Sequence, residues 1–306
     1  MATTTVPTPT RDELDAYGPL GRSTWLDEDW SEHLRWVVID GEPVNLVDVG
    51  TGPPIVFVHG LGGSWQNWLE NILPFAADHR VVALDLPGFG ESPMPQQPID
   101  IGRYADLLDG VMGALDINAA VVVGNSMGGL IAAEMALRHP QRVERLVLVA
   151  AAGLSPTDRF NPQAFAVFSL LEGGIAAFGA SAARRALDVA SREKLRRSAF
   201  SVVAWAPEIL PTALVAEQIR GAGKPGFMPA TKALLTYPIR ERLDDVACPT
   251  LIVWGTHDKL VPVRDATEYE ELIPNARKII YPRTGHVPML ERPARFNADL
   301  RAFLTD

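Results

Sequence analysis

The feature that most restricts what this chain can become is an alternation that runs along most of its length. Short apolar strands, the continuous run "PPIVFVHG" from Pro53 followed by "RVVALDLPGFG" from Arg80, "AAVVVG" from Ala119, "VERLVLVA" from Val143, "TLIVWG" from Thr250 and "RKIIYP" from Arg277, alternate with segments of helical spacing. A strand that is apolar at successive positions has no face to give to water, so it must be covered on both sides. Strands of this kind alternating with helices predict a mostly parallel sheet flanked by helices, an α/β fold. Ahead of them, "RWVVIDGEPVNLVDV" predicts a β-hairpin about Asp40-Gly41.

One region interrupts the alternation. Residues 153–245 hold only helix-like segments rich in Ala, Leu, Phe and Arg, which predicts a helical cap inserted after the sixth strand and folded over the sheet edge. The core is then expected at 36–152 and 246–306, and 1–35 is an amino-terminal extension whose Thr/Pro-rich start reads as flexible. At 306 residues with 47% hydrophobic content, the chain has ample material for such a core.

Charge and cysteine content exclude several classes of function. A net charge of −9 with no dense Lys/Arg cluster argues against nucleic acid and membrane surfaces as partners. Cys248 is the single cysteine, so no internal disulfide or cysteine-based metal site is expected, and no metal-ligand motif or cofactor requirement is read elsewhere. With no basic start leading into an apolar stretch, a cytoplasmic protein is expected. Oligomeric state is not encoded in any pattern seen here.

In open α/β sheets, ligands bind beyond the carboxyl ends of the strands, so the residues following each strand carry the functional argument. "VVVGNSMGGLIAAEMALRH" places Ser126 between a strand and a helix, with Gly124 and Gly128 around it. That context suits a G-x-S-x-G nucleophile elbow; the alternative is a packing turn with an idle serine. A serine hydroxyl needs a base, and His286 in "RTGHVPMLERP" follows the last strand at the catalytic edge. His59 reads as support for the glycine loop beside it, and His257 as exposed. The base in turn needs a carboxylate to fix its tautomer, and Asp258 follows the penultimate strand; Asp85 reads as a brace for the loop "LPGFGES". The main-chain N–H groups of Leu61 and Met127 are the expected oxyanion donors.

With Ser126, Asp258 and His286 in that order, the chain resembles the α/β-hydrolase family from about Trp36 to Phe303. The resemblance rests on "HGLGGSWQNW", "LDLPGFGES", "GNSMGG", "WGTHD" and "GHVPMLERP". It implies a cofactor-independent serine hydrolase that cleaves carboxylic esters of small to medium apolar acyl or aryl groups through an acyl-enzyme. Haloalkane dehalogenases and epoxide hydrolases look similar around Trp65 but place aspartate where Ser126 stands. The elbow is also similar to that of the meta-cleavage-product hydrolases, which break carbon–carbon bonds. Those usually carry tryptophan after the histidine, where this chain has Val287, and a different oxyanion loop.

Two other classes remain for comparison. A dinucleotide-binding protein would show G-x-G-x-x-G directly after a strand, and that pattern is absent after every strand of this series. A non-catalytic small-ligand binder of the same fold would normally have lost part of the triad. The pocket is expected to include Trp65, Asn125 and Val287, with Phe160, Phe165, Phe168, Trp205 and Phe227 contributed by the cap; at least half of the cap's aromatic residues are expected to pack its own core.

Overall fold

The computed structural model describes residues 16–154, 162–178 and 185–306. Its centre is an eight-stranded sheet in the order β1-β2-β4-β3-β5-β6-β7-β8. The strands are β1 (Leu34–Ile39), β2 (Glu42–Val49), β3 (Pro54–Val58), β4 (Arg80–Leu84), β5 (Ala120–Asn125), β6 (Val143–Val149), β7 (Thr250–Gly255) and β8 (Ala276–Tyr281). β1 and β2 form an antiparallel hairpin, β2 runs antiparallel to β4, and every later pairing is parallel. Asp40 and Gly41 take φ of 51° and 83° in the hairpin turn, the left-handed pair that matches the twist of a two-residue loop.

The alternation of side chains along each strand divides the core in two. On one face, Val56, Val58, Val82 and Leu84 pack with helices α2 (Ile101–Ala114), α3 (Met127–Arg138) and α9 (Arg264–Leu272). On the other, Ile55, Phe57, Val81 and Ala83 pack with α1 (Leu69–Ala76), α10 (Pro288–Glu291) and α11 (Pro293–Thr305). Both faces of β3 are therefore dry, which is why its sequence is apolar at successive positions.

Between β6 and β7, the described residues form helices α4 (Pro162–Phe178), α5 (Ala186–Ser191), α6 (Glu193–Phe200), α7 (Thr212–Gly221) and α8 (Phe227–Thr236), with no strand among them. This insert has a small core of its own, built on Ala186, Ala190, Leu210, Val215 and Ile219. Of the amino-terminal extension, residues 16–33 are laid onto the body through short 3₁₀ turns. Trp25 is buried there, and its indole N–H and the Ser23 hydroxyl both donate to Glu70 Oε1, at 2.8 and 2.6 Å. The Thr/Pro-rich start lies outside the described residues. No helix among the described residues is long and apolar enough to cross a membrane.

Candidate active site

Ser126 sits at the turn between β5 and α3 with φ of 56° and ψ of −118°, a conformation costly for a residue with a Cβ. The turn holds because its neighbours are small. A Cβ on Gly124 would lie 2.1 Å from the Gly128 carbonyl oxygen, and one on Gly128 would lie 2.3 Å from that of Val58. Main-chain bonds then fix the serine: its N–H donates to Val149 O at 2.9 Å, and its carbonyl accepts from Ala152 at 3.0 Å. The result is a side chain lifted out at the end of a central strand, beside the first turn of α3, whose leading N–H groups have no acceptor within the helix. The N–H of Met127 is one of these.

His286 follows β8 on the loop into α10. Its Nδ1 lies 2.7 Å from Asp258 Oδ2, with both side chains almost fully enclosed. Asp258 is itself held by the N–H groups of Leu260 and Val261, each 2.9 Å from Oδ1. In the neutral imidazole a carboxylate so anchored fixes the tautomer with the hydrogen on Nδ1, which leaves Nε2 as the atom that can accept a proton from a hydroxyl. Ser126 and His286 line one cavity of about 400 Å³, together with Leu61, Asn125, Phe168 and Val287. Asn125 ties the parts together by donating from Nδ2 to Val149 O at 3.0 Å and to His286 O at 3.2 Å.

Neighbouring polar groups brace the site. His59 Nε2 accepts from the N–H of Leu86 at 3.0 Å, so Nδ1 carries the proton and donates to Gly60 O at 2.7 Å. Full burial lowers the pKa of this imidazole and keeps it neutral. Asp85 accepts from the N–H groups of Trp65 and Glu91 and from the Asn45 amide, at 2.8, 2.9 and 2.8 Å. Both residues hold loops and neither lines the cavity. His257 is exposed.

Three expected pocket residues lie elsewhere. Trp65 turns away into the sheet's outer core, its ring 4.9 Å from that of Trp30. Trp205 is 36% exposed and stands edge-on to Tyr17 at 5.8 Å. Phe227 is buried behind Phe168, with ring centroids 5.4 Å apart, and supports the wall without forming it. Phe160 lies outside the described residues, as does the side chain of Phe165. The wall contributed by the insert is largely aliphatic instead, from Val189, Leu195, Leu210, Val215 and Ile219.

Two carboxyls were missed by sequence reasoning. Glu172 on α4 reaches the cavity from above. Glu291 on α10 accepts from the N–H groups of Gly285 and Val287, on either side of His286, from Trp205 N–H and from the Tyr17 hydroxyl. Burial raises its pKa even so. The only sequence hint for either was an acid in an otherwise apolar or loop-closing context.

A family model described as the alpha/beta hydrolase fold matches residues 53–293. Among characterised relatives, the 2-hydroxymuconate semialdehyde hydrolase of Pseudomonas sp. (strain CF600) is 30% identical over 288 residues, covering 89% of this chain and 94% of that protein. The meta-cleavage product hydrolase of Pseudomonas fluorescens IP01 superposes with a TM-score of 0.70 at 26% identity, covering 89% of this chain and 97% of that one. An esterase of Rhodococcus sp. ECU1013 gives 0.68 at 26% identity, covering 90% and 99%.

Proposed function

The chain belongs to the α/β-hydrolase family, and from that premise we propose that it is a serine hydrolase cleaving carboxylic esters of small to medium apolar acyl or aryl groups. The observation that carries this reading is the chemistry of the cavity wall: among the described residues no Lys or Arg lines it, and aliphatic side chains make up most of it. A neutral ester can shed its hydration into such a space, whereas an anion brought there would find no counter-charge.

In this reading, the Ser126 hydroxyl attacks the ester carbonyl carbon as His286 Nε2 takes its proton. Asp258 holds the resulting imidazolium in place. The carbonyl oxygen becomes an oxyanion facing the N–H groups of Leu61 and Met127, donors that need no reorganisation as charge develops. Collapse expels the alcohol, protonated by His286, and leaves Ser126 acylated. A water molecule then gives its proton to His286 and attacks the acyl carbon. The carboxylic acid departs and the serine recovers its proton.

The similarity to the 2-hydroxymuconate semialdehyde hydrolase favours a second reading, hydrolysis of a carbon–carbon bond of the meta-cleavage-product type. Purified protein assayed against p-nitrophenyl esters of graded acyl length, beside one meta-cleavage product, decides between them. Turnover of the dienoate with little or no ester hydrolysis would overturn the ester reading. A catalytically silent, ligand-binding member of the fold would fail to react with a fluorophosphonate at Ser126.

A further inference from the structure

Glu172 is the one carboxyl among the described residues lining the cavity. It projects from α4 and is 5% exposed. Its Oε2 accepts the N–H of Gly223 at 2.6 Å, while among the described residues Oε1 has no hydrogen-bond partner. That oxygen lies against the loop that carries Leu61. A Cβ on Gly62 would come within 2.7 Å of it, and Gly62 holds φ of 74°, so the glycine leaves room for the carboxyl to descend onto the oxyanion side of the site. Holding the Gly223 loop to α4 requires only Oε2, so that bond leaves Oε1 free to face the cavity. An acceptor that faces a mostly aliphatic cavity without a protein partner is available to a hydrogen-bond donor on the ligand.

We propose that Glu172 determines specificity by accepting a hydrogen bond from a neutral hydroxyl on the part of the substrate seated beneath the insert, so that the preferred esters are apolar but hydroxylated. This deepens the ester reading and rests on it. A carboxylate at the same place would meet a carboxyl with no cation at hand. An ammonium would have to shed its hydration for a single carboxyl partner, whereas a hydroxyl loses far less on entering the cavity and supplies the one hydrogen that Oε1 lacks. Burial pushes the Glu172 carboxyl up to about 7, against the lowering effect of the Gly223 N–H.

The test uses the full-length protein and fluorophosphonates of equal chain length that end in a methyl, a hydroxyl or a carboxylate, with the rate of Ser126 labelling as readout. The wild type is expected to favour the hydroxylated probe over the methyl one. In Glu172→Leu that ratio should fall by roughly tenfold, the cost of losing a hydrogen bond to a charged or polarised acceptor. Glu172→Gln keeps an acceptor oxygen and should keep most of the ratio, while the carboxylated probe gains relative to the methyl one. A ratio near one in the wild type, or one unchanged in Glu172→Leu, would overturn the assignment of Glu172 and leave the serine hydrolase standing. If the leucine variant does not fold, a carboxylated probe that gains nothing in Glu172→Gln overturns it equally. Absence of labelling by every probe would overturn both.

Discussion

The Tyr17 hydroxyl donates to Glu291 Oε2 across 2.7 Å, joining the amino-terminal extension to the loop that carries His286. The same hydroxyl accepts the N–H of Ala206 at 2.9 Å, so extension, insert and histidine loop meet at one phenol. Burial, together with the carboxylate, raises the pKa of this tyrosine, so the proton stays on the phenol and serves the bond. Tyr17→Phe should therefore destabilise the fold by about 1.5–3 kcal/mol, the range for a hydrogen bond to a charged group. Urea unfolding checks this; a midpoint equal to wild type would mean that the junction is redundant.

Ser126→Ala should remove activity while leaving the melting temperature near wild type, because no atom is added to the tight turn. Asp258→Asn should keep the fold yet present His286 with the wrong tautomer, lowering kcat by up to about 10⁴, as the equivalent change does in a serine protease. A loss under about tenfold would remove Asp258 from the role of orienting acid.

Phe168 and Phe227 touch one another but should respond differently to truncation. Phe168→Ala opens the cavity and is expected to move the preferred acyl length upward in a graded way, since each methylene is worth only about 1–3 kcal/mol. Phe227→Ala removes a buried support and should cost about 3–5 kcal/mol of stability. A chain-length profile and a melting curve for each variant separate the two effects.

Glu172 should also leave a mark on stability. Its folded pKa of about 7 exceeds the ordinary 4.5, so the folded state binds that proton more tightly than the unfolded state does. Stability from this group is then greatest below about pH 4.5, falls as pH rises to about 7 and is level above that, a span of about 3 kcal/mol at most. Glu172→Gln should remove this slope. Urea midpoints for both proteins at about pH 5 and about pH 8 provide the comparison, and parallel shifts would contradict it.

What could be read from the sequence was what is local in sequence. The central strands of the parallel series announce themselves because burial on both faces forces successive apolar residues, and Ser126 and Asp258 follow two of them, while His286 follows the half-exposed edge strand β8. Residues 16–33 gave no pattern, since Trp25 is placed by Glu70 and Tyr17 by Glu291, contacts made across long stretches of chain. The cavity wall was harder still. Aromatic content marked Trp65, Trp205 and Phe227, but composition does not reveal which way a side chain turns, and aliphatic residues such as Leu210 and Val215 occupy much of the wall. Glu172 was hidden for the opposite reason, being a single acid in an apolar helix.

The N–H of His286 donates to Val203 O at 2.7 Å, and a Cβ on Gly285 would lie 2.7 Å from that same oxygen. The insert is thus clipped to the backbone of the residue that has to move protons, which limits how the two can be recombined. Exchanging the whole insert with that of a relative would transplant a new wall and, where the donor backbone takes another path at 203, break the clip at once. A chimera that keeps residues 203–205 from this chain should retain its turnover number while adopting the donor's substrate range. One whose backbone departs from this path at 203–205 should lose turnover on every substrate alike.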